Sequence, residues 1–191
     1  LSATPASNAS FERPQIGEAT GDVATIPIIL NGTAEATLSI AGPNGSYDAK
    51  IRIVDGNDDG RVVVQFNTYT AGHGTTGEYG TFTTVSAADT ATVLSRDGAA
   101  LAPGTAPDRQ PLNASNYTLS VETGDGTIDT ALLMLHDPTV ETVTVRPVPA
   151  NRSIASVAAG NREANATAVA DNHEIATGDS VLVSTRIDGI G

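Results

Sequence analysis

Asp55, Asn57, Asp59 and Gly60 fit the half-motif D-x-[DN]-x-[DN]-G. Oxygen-bearing side chains at alternate positions converge on one centre when the glycine lets the backbone turn sharply, and calcium takes such hard oxygen ligands. Asp55, Asn57 and Asp59 are therefore the candidate metal ligands, and calcium is the possible cofactor. The full loop wants a glutamate six residues past the glycine, where Phe66 stands. Without an ion, the same residues make a solvated turn between two strands.

No other group of residues points to catalysis. His73, His136 and His173 stand at no ligand spacing. Gly72-His73-Gly74-Thr75-Thr76-Gly77 lacks the lysine and following helix of a phosphate loop. There is no G-x-S-x-G elbow and no cysteine, which removes a thiolate nucleophile, a thiolate metal site and a disulfide framework. Asp58 and Asp59 are adjacent, so in a strand they point opposite ways. No catalytic residue is assigned, and the chain is expected not to be an enzyme. A secreted glycan-active enzyme or binder, with acids brought together from distant loops, stands as the remote alternative.

A different modification chemistry is abundant. Asn-x-Ser/Thr sequons occur at Asn8, Asn31, Asn44, Asn113, Asn116, Asn151 and Asn165, seven of the eleven asparagines. Ser and Thr fill 38 of 191 positions, so chance gives about two. The enrichment points to export and covalent N-glycans on exposed loops or strand ends.

Composition agrees with life outside the cell. Asp outnumbers Glu 14 to 8, Arg outnumbers Lys 9 to 1, and the net charge is −12. That sign excludes nucleic acid as a partner. At roughly molar salt the screening length falls to about 3 Å, so dense carboxylates repel one another weakly. The balance is that of proteins from brine. Leu, Ile, Val and Phe total 42 residues and Ala 28, so the core is lean and small-featured. No apolar run is long enough to span a bilayer, and no transmembrane segment is expected in this chain. No signal peptide is visible at Leu1, as in a mature secreted protein or a piece cut from one.

The acidic turn sits between YDAKIRIV (47–54) and RVVVQFNTYTAG (61–72), two runs alternating with period two. They read as one β-hairpin around which other strands pack. Residues 1–10 read as a flexible lead-in and Phe11–Ile16 as an edge strand. Val23–Leu30 follows the Gly21-Asp22 turn, and Pro27 suggests an edge or a bulge. Asn31-Gly32 signals a hairpin to Ala34–Ile40. Residues 70–80 form a Gly-rich loop, Thr81–Val85 a strand, and Ala87–Leu94 a strand or short helix. Ala102–Leu112 is irregular. Tyr117–Glu122 and Asp129–His136 are strands, and Val140–Val145 closes a domain over 11–146. A Pro-rich linker over 147–152 leads to 153–191, with Asn151–Asn172 Ala-rich and helical in part. Gly178-Asp179 before the strand Ser180–Ile187 echoes Gly21-Asp22, as if an incomplete second domain or assembly strand opens there. The class is all-β, a sandwich of about 8–9 strands followed by a partial second β unit.

The run Phe66-Asn67-Thr68-Tyr69-Thr70-Ala71-Gly72, after its acidic turn, resembles the repeated domain of haloarchaeal cell-surface and S-layer glycoproteins. The ending IATGDSVLVSTRIDGIG is similar to the start of the next such domain. The resemblance covers roughly residues 16–146. It implies an immunoglobulin-like sandwich, exported and glycosylated, with divalent ions supporting lattice or domain contacts. It implies a structural extracellular protein whose partners are copies of itself or neighbouring surface-protein domains. The alternative is a subunit of an extracellular filament or adhesion fibre, in which an unpaired strand such as Val181–Ile187 completes a neighbour's sheet.

Overall fold

The computed structural model describes residues 7–71, 81–97, 111–124, 126, 128–148 and 180–187. The described strands divide into two units, one up to Pro138 and one from Thr139 on. Among the described residues, the first unit holds ten strands. These are β1 (Asn8–Phe11), β2 (Gln15–Ala19), β3 (Val23–Asn31), β4 (Glu35–Ala41), β5 (Asp48–Val54), β6 (Arg61–Asn67), β7 (Phe82–Thr84), β8 (Thr90–Asp97), β9 (Ser115–Glu122) and β10 (Ile128–His136). One sheet has the order β1-β3-β6-β7 and the other β2-β10-β9-β4-β5-β8. The expected all-β class holds, with two sheets closing on one core.

Alternation drives the packing. On β5, Ala49, Ile51 and Ile53 are buried while Asp48, Lys50 and Arg52 are exposed. On β6, Val62, Val64 and Phe66 turn inward. Four of the seven aromatic residues gather in that core: Tyr47 lies 5.9 Å from Phe66 and 6.5 Å from Tyr117, and Phe66 stacks on Phe82 at 4.9 Å. In a core made largely of Ala, Ile and Leu, these rings supply the bulk that spans the gap between sheets.

Several local expectations are corrected. The two runs around the acidic turn are not a hairpin. Strand β5 pairs with β4 and β8, whereas β6 pairs with β3 and β7, so the turn is an arch from one sheet to the other. The same holds at Asn31-Gly32, where β3 and β4 lie in different sheets. In both, the strands meet face to face across the core instead of edge to edge. The lead-in is strand from Asn8, which pairs with Asn31. The expected strand at 11–16 is broken at Pro14, with β1 on one sheet and β2 on the other, parallel to β10. Pro27 sits on an interior strand, between β1 and β6. Its carbonyl faces the β1 side, accepting from Glu12 N–H at 3.1 Å. The missing N–H therefore falls where β1 has ended, and little is lost. Of the two readings of Ala87–Leu94, strand is the one adopted, from Thr90 on.

The second unit is a two-stranded sheet of β11 (Val140–Val148) and β12 (Ser180–Ile187), antiparallel, with an irregularity between Val140 and Thr142. Val140–Val145 thus pairs with the end of the chain instead of closing the sandwich, and the pairing runs on through Pro147 and Val148. Strand Val181–Ile187, expected to be unpaired, is paired on one side. The Gly-rich loop with His73, residues 98–110, the linker from 149 on, and the Ala-rich stretch with Asn151, Asn165 and His173 lie outside the described residues.

Candidate functional site

The acidic arch is built by its own side chains. Asp55 is 5% exposed. Its Oδ1 accepts from the amides of Asn57 (3.2 Å) and Asp58 (2.8 Å), and its Oδ2 from that of Gly60 (2.7 Å). Asn57 Oδ1 accepts from Asp59 N–H, Asn57 Nδ2 donates to Asp59 Oδ2, and Asp59 Oδ1 accepts from Arg61 N–H. Asp58 and Gly60 adopt positive φ, 59° and 76°, which completes the tight bend. The arch is moored to the segment after β7: Gly56 N–H donates to Asp89 Oδ1 at 3.2 Å, and Asp89 is itself buried. A Cβ on Gly56 would lie 1.9 Å from the carbonyl oxygen of Ala88, so only glycine fits.

The three candidate calcium ligands, Asp55, Asn57 and Asp59, stand together in this one arch. The cation needs about 6–8 oxygen ligands with their lone pairs facing it. Here amide hydrogens already converge on Asp55, and Asn57 and Asp59 bond to their neighbours. Among the described residues no cluster of three acidic or histidine side chains is poised for a metal. His136 is exposed, with Nδ1 3.1 Å from the Asp137 carbonyl.

The motif Phe66-Asn67-Thr68-Tyr69-Thr70-Ala71 is a structural clip. Phe66 fills the core. Asn67 Oδ1 accepts from the amides of Tyr69 and Thr70, starting the short helix α1 (Thr68–Ala71) where a strand residue was expected at Thr68. Thr68 is fully buried. Its hydroxyl accepts from Gly21 N–H at 2.8 Å and donates to the Asp22 carbonyl at 2.7 Å. The Thr68 amide donates to that same carbonyl at 3.0 Å. The turn before β3 is thereby locked to the end of β6. Arg96 on β8 donates to the Thr70 and Ala71 carbonyls and lies over the Tyr47 ring, holding the last turn of α1. Sequence reasoning missed Asp89, Gly56 and Arg96, whose roles depend on partners 15 or more residues away. The clip had a signal, the conjunction of Gly-Asp with a later Asn-Thr.

The five described sequon asparagines are all exposed. Asn8 and Asn31 are directly opposed in the β1–β3 ladder, at the end of the sandwich where Leu30 N–H meets the Gly60 carbonyl. The other three lie at the opposite end. Asn44 is in the β4–β5 connection, with φ 54°; Asn113 and Asn116 flank the start of β9, where Thr118 pairs with Ala41. Tyr117 Oη donates to the Asn113 carbonyl at 3.0 Å, fixing that end.

The sandwich is acidic, its motif residues are engaged in internal clips, and its described sequon asparagines are exposed. The chain belongs to the family described as domain of unknown function DUF7827, whose model matches residues 1–124. It is similar to a cell surface glycoprotein of Haloferax gibbonsii, 27% identical over 186 residues, covering 96% of this chain and 20% of the relative. Cell surface glycoprotein 2 of Haloarcula hispanica is 28% identical over 153 residues, covering 77% of this chain and 16% of the relative. Cell surface glycoprotein 1 of the same organism is 39% identical over 66 residues, covering 34% of this chain and 7% of that protein. The chain thus spans a fifth or less of the relatives it matches. The resemblance to haloarchaeal surface glycoproteins holds, and so does the cell-surface location. No helix among the described residues is long and apolar enough to cross a membrane.

Proposed function

We propose that this chain is a glycosylated structural domain of a self-assembling archaeal surface layer, without catalytic activity. The observation that supports it is the placement of the described sequons. Asn8 and Asn31 crowd one end of the sandwich, and Asn44, Asn113 and Asn116 the other. Sugars added there would leave the flanks of both sheets free to stand against neighbouring copies or domains, while carboxylates and glycans keep the ends hydrated. Glycopeptide mass spectrometry of native material is expected to find saccharides on sequons at both ends. Electron microscopy at molar salt is expected to show a planar lattice. Fibres would favour the filament reading, and isolated particles with unmodified asparagines would overturn both assembly and glycan roles.

A further inference from the structure

An asparagine followed by glycine is a reactive pair, whether or not a Ser or Thr next in line also makes it a glycan acceptor. Both Asn-Gly pairs of this chain are sequons, Asn31-Gly32-Thr33 and Asn44-Gly45-Ser46. With no side chain on the glycine, its backbone nitrogen reaches Cγ of the preceding asparagine once the chain rotates between them. A C–N bond forms to Cγ and closes a succinimide, and the side-chain Nδ2 leaves as ammonia with the proton from the glycine amide. Water then opens the ring at one carbonyl or the other, giving aspartate or isoaspartate. How freely the backbone turns decides where this happens.

The fold restrains these pairs unequally. Asn31 is the last residue of β3, opposed by Asn8 in the ladder, and the neighbouring Leu30 N–H is held by the Gly60 carbonyl at 2.8 Å. The two Asp-Gly pairs of the acidic arch close the same ring by losing water, but the nitrogens that would attack are engaged. Gly56 N–H donates to Asp89 Oδ1 at 3.2 Å, and Gly60 N–H to Asp55 Oδ2 at 2.7 Å. Asn44 lies instead in the β4–β5 connection with φ 54° and ψ 27°, and Pro43, Asn44 and Gly45 are all exposed. A Cβ on Gly45 would meet nothing within 4 Å among the described residues. The turn bond that spans the pair, from Ser46 N–H to the Pro43 carbonyl at 3.0 Å, opens without disturbing a strand.

We propose that Asn44-Gly45 is a site of spontaneous deamidation in this domain, and that the saccharide joined to Asn44 is its guard. The sugar is carried on Nδ2, the atom that must leave, so the glycosylated residue no longer loses ammonia. Conversely, a residue that has become aspartate accepts no glycan. The guard rests on the glycosylation proposed above; the reactivity of the bare turn does not. What is guarded is the core below. Isoaspartate adds a backbone atom inside the connection that Gly42 N–H and the Tyr47 carbonyl close at 2.7 Å. Tyr47 is fully buried against Phe66 and Tyr117.

The test ages the full chain, made without glycans, in molar salt at mildly alkaline pH, beside a free peptide of residues 42–47 that sets the unrestrained rate. Peptide mapping is expected to find aspartate and isoaspartate at Asn44, formed at least about tenfold faster than at Asn31, whose ladder must open first. Equal rates at the two, or an Asn44 still intact when the peptide has converted, overturn the reactive turn. For the guard, Ser46→Ala removes the sequon while keeping the Asn-Gly pair and the backbone turn bond. Expressed in a haloarchaeal host, this variant is expected to carry isoaspartate at Asn44 where the wild-type chain carries saccharide. A bare, intact Asn44 in the variant overturns the guard. So does a bare Asn44 in wild-type material, which also refutes the glycosylation reading at this sequon; the ageing rates separate that failure from failure of the turn.

Discussion

At the scale of single residues, the motif side chains work on the backbone. The Thr68 hydroxyl serves a donor and an acceptor at once, both from the Gly21-Asp22 turn. Thr68→Val keeps the shape, removes both bonds, and is expected to destabilise the domain by about 1–3 kcal/mol. Thr68→Ser, which keeps the hydroxyl, should recover most of that loss in chemical denaturation. Gly56 is constrained by contact: a methyl group there meets the Ala88 carbonyl at 1.9 Å. Gly56→Ala is expected to cost about 1–3 kcal/mol by forcing the arch off Asp89, read as a lower denaturation midpoint. Gly56 lies in a stretch that composition marks as turn, while Thr68 ends an alternating run; neither local pattern specifies which distant backbone groups the residue meets.

At the scale of elements, strand existence was legible and strand pairing was not. Period-two alternation located β3 to β6, β9 and β10 closely because each buries one face and wets the other. Alternation is blind to whether the next strand lies beside its predecessor or across the core, so both arches were read as hairpins. Pro14 and Pro27 were read as edge markers; the structure uses the first to switch sheets and the second where β1 has run out. The join between sheets rests on Tyr47, Phe66, Phe82 and Tyr117, and it carries a pH signature. Burial pushes the Tyr47 and Tyr117 phenols above their ordinary range, most strongly for Tyr47 despite the nearby Arg96 guanidinium. An acid whose folded-state value is raised adds stability that is complete below its unfolded value of about 10 and is lost as pH climbs beyond. Denaturation midpoints are expected to be flat in this respect to about pH 10 and to fall above it. Each further pH unit should remove about 1.4 kcal/mol through Tyr47, until its own folded value is reached. Tyr47→Phe should make that alkaline fall shallower.

At the scale of the whole molecule, charge and solvent set the terms. With 22 acidic against 10 basic side chains, dilution of the surrounding salt restores carboxylate repulsion across the surface. A thermal melt moved from molar to millimolar salt is expected to drop by roughly 10 °C, as a loss of a few kcal/mol implies for a unit of this size. One feature of the topology bears on mechanics. Strand β2, near the start of the sandwich, lies parallel to β10, its last strand, in register from Gln15–Leu132 to Ala19–His136. A pull on the two ends of this unit drags the pair in opposite directions along their length, so its rungs bear load together and cannot unzip one by one. Resistance of that kind is governed by the unfolding rate. In single-molecule stretching the sandwich should therefore yield abruptly and at markedly higher force than a variant in which Ile16→Pro interrupts the β2 ladder.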